Sequence, residues 1–386
     1  MENKKQSIEL AEILSSHEET FKKSHLLCPE QLKAYNAIKL CRTSALGGHI
    51  EYCNSCTHKR QAYNSCRNRH CPKCQFIKKE QWVDKLAGNL PPVRHFHVVF
   101  TIPHILNKLF YLNQGKAYNV FFKAASKSLA QVAANPHFLG AQIGAVAILH
   151  TWGQNLSYHP HIHAIVPAGG LSDDLMEWIP AGKKFFLPVK VLSGVFRGIL
   201  CRLLHEGILK GDITLPDDTP CFEKIKKECY SKNWVVYCEK PFHMAKNLIN
   251  YLGNYTHRIA LSNNRLISHE QNKVAFFAKD YAKAGIKKRI KLDTHEFIRR
   301  FMQHVLPSGF YKIRYWGFMA MCNMATKLKQ CYDLIPKASY LPLLEGLSAL
   351  EVWRELTGMD PVYCPKCKKG KMIASKGILL AKSEYG

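Results

Sequence analysis

The segment Tyr158-His159-Pro160-His161-Ile162-His163-Ala164-Ile165-Val166 places a histidine at every second position ahead of an apolar run. Side chains alternate between the two faces of a β-strand, so these imidazoles can point the same way. Two imidazoles two residues apart on one rigid strand form a pair of ligands for a metal ion. Most His-x-His pairs are ordinary surface or core histidines, so a metal site requires support from a second element later in the chain.

The composition indicates a folded protein of several domains. The 386 residues are enough for two or three domains, and 47% hydrophobic residues are enough for a real core. No apolar run reaches the roughly 18 residues that a membrane helix needs. The N-terminus lacks the hydrophobic region of a secretory signal. We therefore expect a cytoplasmic protein with no membrane association.

The chain is strongly basic. It carries 55 Lys and Arg against 29 Asp and Glu, a formal net charge of +26, and the excess is spread over the length. Such an imbalance favours a polyanionic partner. Nucleic acid is the first candidate and an anionic membrane surface the second, and a ribosome-associated protein would show the same charge.

Paired cysteines near the N-terminus predict a zinc site. In a cytoplasmic chain, paired thiols favour metal over disulfide. Two Cys-x-x-Cys knuckles, fourteen residues apart, match a zinc ribbon in which four thiolates share one ion: Cys53, Cys56, Cys71 and Cys74. Four further residues could complete a second, interleaved site, or could be buried thiols and solvated histidines: Cys41, His49, Cys66 and His70.

A third knuckle lies near the C-terminus. Cys364-x2-Cys367 is half a zinc site; Cys322 and Cys331 are candidate partners, and the half-site could also be idle. A basic zinc module binds DNA phosphates more often than proteins. For the N-terminal module we therefore expect DNA contacts from Arg67, Arg69 and Lys73.

The histidine segment is predicted to lie in a sheet. Residues 145–152 read as a strand, and the turn residues 153–155 join it to the histidine strand as a hairpin. His150, late on the partner strand, can reach across to the pair. It is the first choice for a third metal ligand, ahead of His159 and Gln154.

A neighbouring strand carries another His-x-His pair. Residues 94–102 read as the buried first strand of the sheet. We expect the histidines of this strand, His95 and His97, to be structural, with at most one of them near the site.

The second element is a helix over residues 242–258. Tyr251 and Tyr255 lie four residues apart and therefore on one helix face. Gly253 between them costs about 1 kcal/mol relative to alanine, which indicates a close approach by another group. Two tyrosines at this spacing are often core or interface aromatics. Beyond them, residues 258–292 read as a β-meander.

The C-terminal part combines basic and aromatic residues. Thr294 is predicted to cap a helix that extends to Val305 and carries Arg299 and Arg300. The segment 311–316 then alternates cations, including Arg314, with aromatic rings. That pattern suits a nucleic-acid single strand, which stacks on rings and contacts charge through its phosphates, although an ordinary surface strand would read the same way.

Histidine ligands, paired tyrosines and positive charge fit one reaction. A tyrosine hydroxyl attacks a DNA phosphodiester while a metal offsets the charge of the transition state. The products are a 5'-phosphotyrosine and a free 3'-hydroxyl, and a second tyrosine allows two strand ends to be handled in turn.

The motifs resemble those of one family. They are Cys66-Arg67-Asn68-Arg69-His70-Cys71-Pro72-Lys73-Cys74, Arg94-His95-Phe96-His97-Val98-Val99-Phe100-Thr101, His150-Thr151-Trp152-Gly153, His159-Pro160-His161-Ile162-His163 and Tyr251-Leu252-Gly253-Asn254-Tyr255. Together they resemble the HUH (His-hydrophobe-His) two-tyrosine rolling-circle transposases of insertion sequences, specifically the IS-ninety-one family. The resemblance covers most of the chain.

The resemblance implies an α+β fold with an HUH endonuclease core, a mainly antiparallel sheet flanked by helices. It implies His161 and His163 as ligands of Mg2+ or Mn2+, Tyr251 and Tyr255 as nucleophiles, and structural Zn2+ in the N-terminal domain. The partners would be single-stranded DNA and transposon-end DNA at the bacterial nucleoid. The expected domains are 1–90 (helical segment and zinc-binding domain), 91–292 (core with the tyrosine helix) and 293–386 (basic, mostly helical, with the Cys-x-x-Cys tail).

Two other functions stay open. A plasmid replication initiator or relaxase would use the same chemistry on different DNA. A non-catalytic, zinc-dependent DNA-binding protein would bind DNA without nicking it. The sequence leaves the oligomeric state and the order of the tyrosines undetermined.

Overall fold

A computed structural model of the chain describes residues 8–182, 186–239, 253, 260–280 and 285–379. The α+β class is confirmed, with helices and antiparallel sheets. The helices are α1 (Leu10–Ser16), α2 (Glu18–Ser24), α3 (Pro29–Leu40), α4 (Phe76–Gly88), α5 (Asn107–Leu112), α6 (Gln114–Ala134), α7 (Val189–Leu209), α8 (Phe222–Ser231), α9 (Thr294–Met302), α10 (Lys329–Leu334) and α11 (Ala349–Thr357). The strands are β1 (Gly48–Cys53), β2 (Lys59–Tyr63), β3 (His95–Thr101), β4 (Ala145–Trp152), β5 (Tyr158–Pro167), β6 (Gly169–Leu171), β7 (Trp178–Pro180), β8 (Val236–Cys238), β9 (Leu266–Glu270), β10 (Lys273–Asp280), β11 (Ile286–Asp293), β12 (Ile313–Trp316) and β13 (Met372–Leu379).

The histidine strand β5 is the middle strand of the largest sheet. The order is β12-β4-β5-β3-β8, and every neighbouring pair is antiparallel. The predicted hairpin of residues 145–152 with the histidine strand is confirmed as β4 and β5. Because β5 pairs on both sides, its backbone is held along its length and its side chains have fixed directions.

The two faces of this sheet pack against different helices. Leu149 and Ile162 point to one face, which α6 and α7 cover in the largest core cluster. Ile148 and Ile165 point to the other face, where they pack with Val83 of α4. His150 is two residues from Ile148, and His163 and His161 are two and four residues from Ile165, so these histidines lie on the α4 face.

The N-terminal helices pack on a second sheet, β11-β10-β9, which confirms the predicted meander within the described residues. Tyr35 of α3 is buried in this core and donates a hydrogen bond to the Leu14 carbonyl over 2.6 Å. The helix α9 closes the same core. Its N-cap is Asp293 rather than the predicted Thr294, because the Asp293 carboxylate accepts the backbone N–H groups of the first turn.

The C-terminal region adds strands to sheets formed earlier in the chain. β12 lies at the edge of the central sheet, and β13 pairs with β1 in a three-stranded sheet of order β13-β1-β2. Packing therefore links the three predicted domains, whose boundaries remain a prediction. Within the described residues, no helix is both long and apolar enough to cross a membrane.

Candidate metal sites

Three imidazoles converge on the α4 face of the central sheet. The ligand nitrogens of His150, His161 and His163 all lie within 4.8 Å of one another. In the antiparallel register of β4 and β5, His150 stands directly opposite His161. His150 and His163 are buried, and His161 is partly exposed. We call these residues the histidine cluster.

Hydrogen bonds determine which ring nitrogens of the histidine cluster keep a lone pair that could bind a metal. Nδ1–H of His161 donates to the His159 carbonyl over 2.7 Å, which leaves a lone pair on Nε2. Nδ1 of His163 lies 2.7 Å from Nε2 of His97, and Nδ1 of His97 lies 3.0 Å from the carboxylate of Glu239. An ionised carboxylate only accepts, so His97 donates from Nδ1 and accepts the Nδ1–H of His163. His163 therefore also presents the lone pair of Nε2.

The charge states in this cluster suit metal binding. Burial lowers the pKa of His161 to about 4 and lowers the pKa values of His150 and His163 well below the ordinary range. The hydrogen bond with His97 lowers the pKa of Glu239, which keeps that carboxylate ionised. Neutral imidazole is the form that binds metals. Three neutral donors held this close therefore fit a divalent cation.

The other candidates for the third ligand lie outside this group. His159 is exposed, with its ring centroid 5.2 Å from that of His161. Gln154 lies in the turn, where its side-chain oxygen accepts the backbone N–H of Lys279 over 3.4 Å. Of the three candidates for the third ligand, His150 is the one that the fold brings to the pair.

Tyr251 and Tyr255 lie outside the described residues, but Gly253 between them is described. Gly253 is helical and buried. A Cβ at this position would lie 2.5 Å from Cγ2 of Val83 and 3.8 Å from Cγ of Lys79. Both neighbours belong to α4, the helix that covers the histidine face of the sheet. The glycine thus leaves room for the side chain of Val83.

Four thiols from the first 75 residues form one cluster: Cys41, Cys66, Cys71 and Cys74, with all Sγ atoms within 4.8 Å of one another. Cys41 follows α3 and Cys74 precedes α4, so the cluster joins the ends of two helices. Hydrogen bonds with Cys66 and Cys71 lower the pKa of the Cys74 thiol, and hydrogen bonds with Cys66 and Cys74 raise the pKa of the Cys71 thiol, so Cys74 is the first of the group to ionise. Thiolate is the form that binds zinc. We call this group the N-terminal thiol cluster.

The remaining knuckles form a second group, the bridging thiol cluster: Cys53, Cys56, Cys364 and Cys367. The predicted zinc ribbon therefore grouped the cysteines wrongly, because its two knuckles belong to different clusters. The β1–β2 hairpin carries the first knuckle to β13, whereas α3 and α4 bring Cys41 to the second. Among the described residues, neither Cys322 nor Cys331 belongs to a thiol cluster.

Of the residues predicted to form a second, interleaved site, only the cysteines, Cys41 and Cys66, belong to a thiol cluster. Nε2 of His49 lies 3.2 Å from the carboxylate of Glu51 on the same strand. His70 is buried beside Arg69, and desolvation lowers its pKa well below the ordinary range. Neither histidine belongs to the four-thiol groups found in the described part of the chain.

Three of the basic residues expected to bind DNA contact the protein itself. Arg69 donates to two backbone carbonyls in the loop before β12, at 2.7 and 3.1 Å. Lys73 forms an ion pair with Glu9. The guanidinium of Arg314 stacks on the ring of Phe122, 4.3 Å from its centroid. These contacts favour a structural role.

The other three basic residues expected to bind DNA are more accessible. Arg299 and Arg300 share the carboxylate of Glu296 and line a surface cavity beside the start of β5. Arg67 is exposed and lines another surface cavity with Arg42.

Sequence reasoning missed Glu239 and did not identify the contact of His97. Glu239 follows the short strand β8, and only the pairing of β8 with β3 brings it to His97. Its sequence neighbourhood carries no motif. The alternation in β3 was a usable signal for His97, because it places His97 two residues from Val99, which faces His163.

Two family models match the chain. Residues 144–327 match a family described as "Putative transposase", and residues 13–102 match a "Transposase zinc-binding domain" of the IS91 (IS-ninety-one) type. The chain is also 41% identical over 376 residues to "Putative transposase y4qJ" of Sinorhizobium fredii, which covers 95% of this chain and 94% of that protein. The chain belongs to the IS91 family of transposases.

A second relative of this transposase is the "Transposase for insertion sequence element IS801" of Pseudomonas savastanoi pv. phaseolicola. It is 26% identical over 335 residues, which is 85% of this chain and 79% of that protein. No solved structure matches the chain. The matched transposase region contains the histidine cluster, and the matched zinc-binding region contains the N-terminal thiol cluster; Cys364 and Cys367 lie beyond both.

Proposed function

We propose that this transposase nicks and rejoins single-stranded DNA at insertion-sequence ends, by rolling-circle transposition through a 5'-phosphotyrosine. Tyr251 and Tyr255 are the nucleophiles, and the histidine cluster binds Mg2+ or Mn2+. The observation that carries this proposal is the convergence of three neutral imidazoles on one face of the central sheet.

The position of Gly253 supports the tyrosine assignment. The segment that carries the tyrosines meets α4 at this glycine, where Val83 is the nearest neighbour. Val83 also belongs to the core cluster of Ile148 and Ile165, which lie two residues from His150 and His163 on β4 and β5. The same helix therefore adjoins Gly253 and the face of the sheet that carries the histidines.

The reaction exchanges one phosphodiester for another. The tyrosine oxygen bonds to phosphorus, the bond from phosphorus to the 3' oxygen breaks, and the 3' oxygen takes up a proton and leaves as a hydroxyl. A bound divalent ion would polarise a non-bridging phosphate oxygen and offset transition-state charge. Tyrosine has an ordinary pKa near 10, so its hydroxyl needs activation near neutral pH. Because the ester is conserved, rejoining needs no ATP.

Charge and the N-terminal thiol cluster support a DNA partner in the cytoplasm, at the nucleoid. The net charge of +26 favours a polyanion, and Arg67 lies exposed next to the N-terminal thiol cluster in sequence. In this proposal Cys41, Cys66, Cys71 and Cys74 bind a structural zinc ion that fixes the start of α4.

The deciding experiment is incubation of the full chain with labelled single-stranded DNA from the element's ends in Mn2+. We expect a covalent, protease-sensitive adduct in the wild type and none in the Tyr251→Phe/Tyr255→Phe double variant, because only the hydroxyls are removed. Tyr230→Phe, at a residue 48% exposed on α8, is the matched control and should keep the adduct.

An adduct in the double variant would refute the nucleophile assignment. Binding without any adduct in the wild type would favour a non-catalytic DNA-binding protein. Cleavage of plasmid origin DNA in preference to element ends would favour a replication initiator or relaxase.

A further inference from the structure

We propose that the bridging thiol cluster holds a second structural zinc ion, which fastens the C-terminal strand to the N-terminal zinc-binding domain. Cys53 and Cys56 belong to the matched zinc-binding region, whereas Cys364 and Cys367 follow more than three hundred residues later. The site is therefore assembled from two distant parts of the chain.

The sulfur geometry fits a closed tetrahedral site. Sγ of Cys53 lies 3.7 Å from Sγ of Cys367, and Sγ of Cys56 lies 3.8 Å from Sγ of Cys364. Zinc–sulfur bonds of about 2.3 Å at tetrahedral angles place sulfur atoms about 3.8 Å apart. Four thiolates leave no open position, which is the arrangement of a structural zinc rather than a catalytic one.

In each Cys-x-x-Cys knuckle, a backbone N–H group points at a cysteine sulfur. The N–H of Ser55 donates to Sγ of Cys53, and the N–H of Gly370 donates to Sγ of Cys367, both over 3.3 Å. A Cβ on Gly370 would collide with Sγ of Cys53, so the second knuckle needs a glycine there. Both turns thus direct a backbone N–H group at a cysteine sulfur.

The strands that meet at this site have little other support. β13 pairs with β1 from Cys53 opposite Met372 onward, and Asn54 exchanges hydrogen bonds with the backbone of Lys371 at 2.8 and 3.1 Å. Among the described side chains, none from β1, β2 or β13 enters the three hydrophobic core clusters. A module without a core of its own typically takes its folding energy from the metal.

Cobalt titration of the metal-free, reduced full chain tests the proposal. Thiolate-to-cobalt charge-transfer absorption reports sulfur ligands only, so ions at the histidine cluster do not contribute. We expect the absorption to rise to two equivalents in the wild type, and Cys364→Ser to halve both the endpoint and the amplitude. Cys322→Ser, at an exposed cysteine outside both clusters, should match the wild type.

A Cys364→Ser chain that reaches the wild-type endpoint would overturn the proposal. If Cys364→Ser fails to fold, Cys74→Ser, which removes a ligand of the N-terminal thiol cluster instead, decides: one remaining equivalent would support the proposal, and a loss of all thiolate absorption would overturn it. None of these results depends on the proposed nicking activity, so a failure here is distinguishable from a failure of the tyrosine chemistry.

Discussion

The histidine cluster and the bridging thiol cluster differ in what supports them. The histidines stand on β4 and β5, in the middle of a five-stranded sheet that is packed on both faces. The bridging cysteines stand on turns around a small sheet that contributes no described side chain to a core cluster. The sheet therefore holds the histidines in place by its own packing, whereas the proposed zinc ion would hold the parts of the bridging thiol cluster together. This difference fits the proposed functions, because a catalytic ion leaves a coordination position open and a structural zinc does not.

The N-terminal thiol cluster is intermediate between these two clusters in its support by a hydrophobic core. Cys41 and Cys71 are buried in the core that α1, α3 and α9 share. Directly after Cys74 begins α4, which contacts both the histidine face of the sheet and Gly253. Loss of this cluster would therefore affect the histidine face of the sheet through α4, which the bridging thiol cluster does not adjoin in sequence.

The largest expected effect is a loss of nicking that distinguishes the histidine cluster from the thiol clusters. His163→Ala should lower Mn2+-dependent nicking by on the order of 100-fold or more, because removing a ligand costs more than the 10- to 100-fold typical of an outer partner. Cobalt–thiolate absorption should stay unchanged, and the melting temperature should fall by only a few degrees, since a lost buried hydrogen bond costs about 1–3 kcal/mol.

His137→Ala, at an exposed histidine, serves as the control for that nicking assay. Full cleavage by His163→Ala would remove the metal role of the histidine cluster and with it the contrast between the two sites.

A smaller effect tests whether Glu239 orients the histidine cluster. In Glu239→Gln the amide can donate to Nδ1 of His97, which permits the reversed tautomers and places a proton on Nε2 of His163. We expect the affinity for Mn2+, measured by electron paramagnetic resonance, to fall about 10-fold, and Glu239→Asp to recover part of it. Glu228→Gln, whose carboxylate pairs with Lys232 on the surface, should leave the affinity unchanged. An unaltered affinity in Glu239→Gln would show that this carboxylate does not position His163.

The smallest effect concerns the contact of α4 with the tyrosine segment. Gly253→Ala should slow adduct formation severalfold, because the new Cβ would lie 2.5 Å from Cγ2 of Val83, and overpacking of this kind costs about 1–3 kcal/mol. Val83→Ala in the same chain should restore much of the rate by making room. Gly115→Ala is the control, since a Cβ there meets nothing within 4 Å. A rate unchanged by Gly253→Ala would indicate that this contact does not position the tyrosines.

Local patterns predicted the elements well and the long-range partners poorly. The hairpin of β4 and β5 followed from alternation and turn residues, and β3 lies within the predicted strand of residues 94–102. The grouping of cysteines failed because spacing shows which thiols share a turn but not which turns meet. Cys364 found its partners only when β13 returned to β1.

The sequence by itself determined the chemistry available to this transposase: histidines in alternation on one strand, Cys-x-x-Cys knuckles, and a basic charge, all of which depend on residue type and short spacing. The tertiary structure alone decided which of these groups meet. It placed His97 and Glu239 behind His163, and it divided the thiols between two clusters. The physical reason is that strand pairing and helix packing join residues far apart in the chain, and these contacts arise from burial of whole faces rather than from any local motif.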